Sequence, residues 1–149
     1  MKEIHKSVLL QEAIDSLSLK EDDVAVDMTL GFAGHSSEIL KRIKKGYLFA
    51  FDQDSEVFTY SRNRHNDIGN NFELIHANFS EAKEELLKRN ITKVDAILYD
   101  LGVSSYQLDN KERGFSYNNE AGLDMRMNRD KQLTAKIVVN RYSDQDLKL

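Results

Sequence analysis

The stretch DVAVDMTLGFAGHSSEILKRIKKGYLFAFD, residues 23–52, decides the fold. Its opening, DVAVDMTLG (23–31), is a short apolar, β-branched run closed by an acid and a glycine, the pattern of a buried strand entering a tight turn. HSSEILKRIKK follows with Ile39, Leu40 and Ile43 at helical spacing, and Gly46 stands where a helix end commonly needs a left-handed residue. YLFAFD (47–52) then begins a second buried strand at once. Strand, turn, helix and strand within about 30 residues make a complete βαβ unit.

Working outward, residues 8–19 (VLLQEAIDSLSL) place Leu10, Ala13, Ile14 and Leu17 at helical spacing, an amphipathic helix whose apolar stripe needs a sheet to cover. Downstream, residues 55–64 read as helix, FELIHANF (72–79) as a third strand, Ser80 as the cap of a helix running through Lys88, and VDAILYD (94–100) as a fourth strand. Four strands alternating with helices predict an α/β fold with a parallel, doubly wound, Rossmann-like sheet. After Asp100 the run 101–132 is polar and lacks sustained period 2 or 3.6, so it is expected to be a long functional loop region. The tail AKIVVNRYSDQDLKL is expected to hold one more helix, with Ile137, Val138 and Tyr142 inward. These readings divide the chain into a ligand-binding half, 1–105, and a substrate-facing region, 106–149.

Composition narrows the function. At 149 residues with 40% hydrophobic content the chain has the length and apolar content for one cored domain. No cysteine means no disulfide framework, thiolate nucleophile or sulfur-ligated zinc, and no metal site is expected. No apolar run approaches the roughly 20 residues that span a bilayer, and MKEIHKSVLL lacks the pattern of a signal peptide, so a cytoplasmic location without membrane contact is expected. Net charge is −4, and the excess of acid lies in residues 1–100, with 13 Lys/Arg against 18 Asp/Glu. No basic stripe announces nucleic acid, so any RNA reading must rest on motifs.

In an open parallel sheet, ligands bind beyond the carboxyl ends of the strands, near the point where strand order reverses. Asp27, Asp52 and Asp100 each close an expected strand and deliver three carboxylates to that edge. The first turn, DMTLGFAGHS, brings Gly31, Ala33 and Gly34 together, so backbone N–H groups and a helix start can approach a ligand closely. Its spacing is not G-x-G-x-x-G, which argues against a dinucleotide and suits a ligand without phosphates, such as the methionine part of S-adenosylmethionine; an ordinary βα turn is the plainer alternative. Asp52, 21 residues after Gly31, can accept hydrogen bonds from both ribose hydroxyls, with a solvated strand-end acid as the alternative and Asp54 as the weaker candidate. In HANF, Phe79 can stack beside adenine and Asn78 can meet its edge, although a core role for Phe79 is equally open. Asp100, in YDLGVSS, can hold the N–H groups of an amine acceptor and aim its lone pair.

Taken in order, DMTLGFAGHS, FDQD, HANF, YDLGVSSYQLD, ERGFSY and LDMRM give a chain that, from about His5 to Tyr142, resembles the bacterial small-subunit ribosomal RNA cytosine-N4 methyltransferase family. The resemblance implies a class I methyltransferase sheet with S-adenosylmethionine as cofactor, contacted by Ala33, Gly34, His35, Asp52, Phe79, Asp100 and Gln107, with Asp100 also catalytic. It implies as acceptor a decoding-centre cytidine in small-subunit ribosomal RNA, naked or in the assembled subunit. Two departures stand out: Phe32 and Ala33 occupy a turn that is usually richer in glycine, and Tyr106 replaces a typical proline. Arg113, Phe115, Arg126 and Arg129 can grip phosphates and stack a splayed base, or can tether the loop through Glu112 and Asp124.

A sheet of this class has seven strands and only four are legible, so the sheet is expected to be incomplete; the resemblance implies an inserted helical domain beginning near residue 149, and the chain is expected to be a fragment or a shortened gene product. An unpaired central strand invites association, so a homodimer through the sheet edge is a further expectation. A non-catalytic cofactor- or ribosome-binding module is the competing reading, and a dehydrogenase is disfavoured by the missing glycine motif.

Overall fold

A computed structural model describes residues 9–118 and 120–148, and forms two compact units, Met1–Gly102 and Val103–Leu149. Val8, which opens the expected first helix, and His5, where the family resemblance begins, lie outside the described residues.

In the first unit, helix α1 (Leu10–Ser16) precedes strand β1 (Val24–Asp27), helix α2 (Gly34–Arg42), strand β2 (Tyr47–Asp52), helix α3 (Phe58–Asn66), strand β3 (Phe72–His76), helix α4 (Ala82–Lys88) and strand β4 (Ala96–Leu98). The four strands form one parallel sheet in the order β3-β2-β1-β4. The fold is therefore the expected α/β Rossmann-like one, with four strands among the described residues. From β1 the chain steps outward through β2 to β3, then returns to place β4 on the other side of β1, so the strand order reverses between β1 and β4. A ligand crevice belongs there.

Period-2 alternation sends each strand's side chains to two apolar layers. On one face Ala25, Leu48, Ala50, Leu74, Ala96 and Leu98 pack with Ile14 of α1, Ile39 and Leu40 of α2, and the flank of α3 through Phe58. On the other, Val26, Phe49, Phe51 and Ile75 meet Ala82 and Leu86 of α4. Ile39, Ile43, Leu48 and Phe51 are fully buried, each contributing about 1.5–3 kcal/mol of transfer free energy. The α4 layer covers less of the sheet, and Ile97 of β4 remains exposed.

Several boundaries differ from expectation for physical reasons. Helix α2 ends at Arg42 without a left-handed glycine. Gly46 is required instead by close approach, because a Cβ there would lie 1.9 Å from the Asp23 carbonyl oxygen, the same oxygen that accepts the Tyr47 N–H at 3.1 Å. Strand β3 stops at His76 because Asn78, not Ser80, is the cap. The Asn78 side chain accepts the Ser80 N–H and Glu81 accepts the Asn78 N–H, starting a 3-10 turn, Phe79–Glu81, that leads into α4. Residues 55–57 likewise form a 3-10 turn, capped by Asp54.

The second unit is more structured than its composition suggested. Ser104 and Gln107 form a reciprocal cap that starts α5 (Ser105–Asp109), and Asn110 caps a 3-10 turn over Lys111–Arg113. Gly114 then takes φ 68°, a left-handed conformation open to glycine. Thr134 caps α6 (Ala135–Arg141) and Ser143 caps α7 (Asp144–Leu147), so the tail holds two short helices where one was expected. Ile137 and Val138 are half-buried, while Tyr142 is 42% exposed and does not point inward. Among the described residues no helix is long and apolar enough to cross a membrane.

Candidate functional site

The turn after β1 is fastened to the two neighbouring strands, β4 and β2. The Met28 N–H donates to the Leu98 carbonyl of β4 at 2.9 Å and the Leu30 N–H to the Phe51 carbonyl of β2 at 2.8 Å. Gly31, at φ 48°, donates its N–H to Asp52 Oδ2 at 2.9 Å, while Asp52 Oδ1 accepts the Asp54 N–H at the same distance. Burial pushes the Asp52 carboxyl above the ordinary range, and the backbone N–H groups of Asp54, Gly31 and Gln53 pull against that. A carboxylate offers about four lone-pair sites, so these bonds leave capacity for a ligand. Asp54 is 2% exposed, and its own carboxylate accepts the Glu56 N–H.

Ala33 follows in a left-handed conformation, φ 61°, as the residue before α2, and no side chain caps that helix. The first N–H groups of α2, beginning at Gly34 and His35, therefore form a helix start suited to an anionic group. His35 is buried, and its Nδ1 lies 3.5 Å from Asp100 Oδ2. The site also holds Thr29, which sequence reasoning missed. Its hydroxyl accepts the Asp100 N–H at 2.8 Å and its N–H donates to Asp27 Oδ1 at 3.0 Å, linking the ends of β1 and β4. No spacing rule marks a threonine for such a bond.

Asp27 lies between the two other acids because β1 lies between β2 and β4. It is fully buried and its Oδ2 has no partner. Burial, together with the charges of Asp52 and Asp100, raises its pKa to about 7 against the restraint of Thr29. Asp27 and Asp52 close their strands as expected, whereas β4 ends at Leu98 and leaves Asp100, expected to close it, two residues beyond; the charges of both outer acids still act on Asp27.

Beyond β3, the Ala77 N–H donates to the Asp52 carbonyl at 3.0 Å, and Asn78 Nδ2 donates to Gln53 Oε1 at 2.9 Å. Asn78 is therefore a cap and a tether. Phe79, next in the chain, is 41% exposed and meets the Tyr99 ring edge-to-face at 5.8 Å. It is not a core residue.

In the second unit, Gln107 is 7% exposed and its Oε1 accepts the Ser104 N–H. Arg113 is buried, with Nη2 donating to the Arg126 and Met127 carbonyls at 3.1 Å and its guanidinium 5.8 Å from the Phe115 ring. Arg126 grips Asp124 through two nitrogens, at 2.8 and 2.7 Å, and donates to the carbonyls of Arg129 and Lys131. That grip lowers the Asp124 pKa to about 2. Of the two roles open to these arginines, loop tethering is the one the geometry displays; Arg126 holds Asp124 and two loop carbonyls, and Arg113 holds the carbonyls of Arg126 and Met127.

Among the described residues no group of His, Asp and Glu is arranged to hold a metal ion. The groups present are backbone N–H donors at the start of α2 and carboxylate acceptors at Asp27, Asp52 and Asp100.

A family model described as the MraW methylase family matches residues 2–149. The chain is 53% identical over 147 residues to the ribosomal RNA small subunit methyltransferase H of Mycoplasmopsis agalactiae, covering 99% of this chain and 49% of that protein. The corresponding protein of Mycoplasma mobile is 50% identical over 145 residues, with 97% and 48% covered. The chain thus spans about half the length of the curated relatives it matches. Among solved structures, an rRNA methylase from Streptococcus thermophilus gives a TM-score of 0.52 at 23% identity, over 64% of this chain and 56% of that one. NSun6 from Pyrococcus horikoshii gives 0.53 at 24%, over 69% and 26%. At such identities the likeness concerns the fold alone.

Proposed function

The chain belongs to the MraW methylase family, and from that premise we propose that it carries the S-adenosylmethionine-binding part of a methyltransferase acting on the N4 amine of a cytidine in small-subunit ribosomal RNA. The observation that supports this best is the convergence of Asp27, Asp52 and Asp100 beside the uncapped start of α2. The residues fit the cofactor: the helix start suits its carboxylate, the remaining lone pairs of Asp52 suit the ribose hydroxyls, and the bare Oδ2 of Asp27 belongs to an acidic edge that favours a cationic ligand.

When bound, the cofactor supplies an electrophilic methyl group. The chain's own residues do the positioning. Ala33, Gly34 and His35 present the helix start, Asp52 holds the ribose, and Phe79 offers a ring to adenine. The Asp100 carboxylate would accept an N–H of the acceptor amine, direct the nitrogen lone pair and receive the proton displaced as the amine gains the methyl, which the cofactor's sulfonium would give up on becoming a neutral thioether. His35, 3.5 Å from that carboxylate, restrains its orientation. Gln107 joins the cofactor contacts by resemblance. Arg113, Phe115 and Arg126 face the acceptor RNA in this reading, with Arg113 acting through the loop carbonyls it holds.

Calorimetry with S-adenosylmethionine, followed by transfer of labelled methyl to small-subunit RNA or to the assembled particle, tests the proposal. Binding and transfer support it. Binding without transfer supports the second reading, a non-catalytic cofactor- or ribosome-binding module. A homodimer along the edge strand β4 accords with exposed Ile97, and a monomer by light scattering at high concentration would count against it.

A further inference from the structure

We propose that Tyr99 is a purine-binding residue, forming with Phe79 an aromatic corner that receives the adenine of the cofactor. The inference rests on the cofactor reading above.

Strands β3 and β4 lie at opposite edges of the sheet, yet Phe79, just beyond β3, reaches the ring of Tyr99, just beyond β4. The rings meet at 84° with centroids 5.8 Å apart. Both remain open to solvent, Phe79 at 41% and Tyr99 at 52%, and Ile97, two residues before Tyr99 and so on the same face of the chain, is 44% exposed. Burying large apolar side chains is the default, so three open ones at the ligand end of a sheet call for an occupant.

The surroundings identify its chemistry. The Ala77 N–H bond to the Asp52 carbonyl and the Asn78 bond to Gln53 fix the Phe79 turn beside the acid assigned to the ribose. Tyr99 directly precedes Asp100, whose N–H is held by Thr29. A planar heterocycle attached to a ribose at Asp52 thus lies within reach of the corner. Perpendicular rings suit such a group, which can lie flat on one ring while meeting the other edge-on.

The test is calorimetric titration of the unaltered chain, Tyr99→Ala, Tyr99→Phe and Phe79→Ala with S-adenosylmethionine and with adenosine. Tyr99 is half-exposed, so its variants retain the core. Tyr99→Ala should weaken both ligands about tenfold, as expected for loss of one stacking surface, and Tyr99→Phe should restore affinity to within about twofold because a ring, not a hydroxyl, is required. The combined Phe79→Ala and Tyr99→Ala change should cost less than the product of the single effects, since the rings form one surface. Unchanged affinity in Tyr99→Ala overturns the proposal alone. If that variant also self-associates less by light scattering, the patch is a contact between copies. Absence of binding by the unaltered chain overturns the cofactor reading and this one with it.

Discussion

The Asp52 carboxylate accepts the Gly31 N–H at 2.9 Å across 21 residues of sequence, joining the end of β2 to the turn after β1. The residue assigned to the ribose therefore also shapes the loop that would carry the rest of the cofactor. Asp52→Ala should weaken S-adenosylmethionine binding at least about tenfold and lower stability by about 1–3 kcal/mol, because the Gly31 and Asp54 N–H groups lose their acceptor. Titration calorimetry and urea unfolding measure the two effects. Unchanged affinity would sink the ribose assignment, while unchanged stability would show that water replaces the carboxylate.

Two buried groups titrate in opposite senses. Asp27 titrates at about 7 in the fold against 3.8 unfolded, so its contribution to stability is fully present below about pH 4 and is lost as pH rises to 7. His65, desolvated and close to Arg64, titrates at about 4 against 6.5; its contribution is present above 6.5 and is lost as pH falls to 4. Between pH 4 and 6.5 the two slopes oppose each other. Asp27→Asn should leave a protein that loses stability as pH falls through this window, and His65→Gln one that loses stability as pH rises through it. Urea midpoints at half-unit steps decide the matter, and parallel curves for the two variants would refute it.

Gly46 is constrained by contact, not by dihedral angle. A Cβ 1.9 Å from the Asp23 carbonyl oxygen must push backbone against backbone where β2 begins its register with β1. Gly46→Ala should cost at least about 2 kcal/mol. Gly122→Ala meets nothing within 4 Å and should stay within about 0.5 kcal/mol. Thermal unfolding of the pair tests the contrast.

What could be read from the sequence follows from how local each cause is. Strand β2 was legible to the residue because YLFAFD is an uninterrupted apolar run followed by an acid. The placement of Asp27 and Asp52 followed from strand ends, whereas Asp100 lies two residues past the end of β4, where the Thr29 hydroxyl accepts its N–H. The end of β3 was not legible, since HANF continues an apolar pattern and only the reciprocal bonds of Asn78 and Glu81 break the strand at His76. The same applies to Gly46, whose role depends on Asp23, and to Thr29, whose partner is 71 residues away. In the second unit the caps at Ser104, Asn110 and Thr134 are short-range signals embedded in a polar stretch without periodicity, which hid the elements they start.

The Thr29 hydroxyl is the only side chain among the described residues shown bonding the Asp100 N–H. Thr29→Val keeps the shape and removes the acceptor, whereas Thr29→Ser keeps it. Hydrogen exchange at the Asp100 amide should accelerate in the valine variant and stay protected in the serine one, and stability should fall by about 1–2 kcal/mol only in the former. Equal exchange in both variants would mean that Met28 and the other turn bonds hold β4 without this strap.

Arg126 separates the two arginine roles. Its fork on Asp124 and its bonds to two loop carbonyls need guanidinium geometry, while attraction to a phosphate needs mainly charge. Arg126→Lys keeps the charge and loses the fork. If tethering dominates, the substitution should speed amide exchange over residues 124–131, and RNA affinity should fall by more than the loss of one phosphate contact while the salt dependence keeps its slope. If phosphate contact dominates, Arg126→Lys should bind RNA nearly as well as the unaltered chain, and Arg126→Ala should lower the salt slope by about one charge. The buried Arg113 bonds to the Arg126 and Met127 carbonyls run through the same loop. They lead us to expect the first outcome, because loosening Arg126 also withdraws the carbonyls that Arg113 holds.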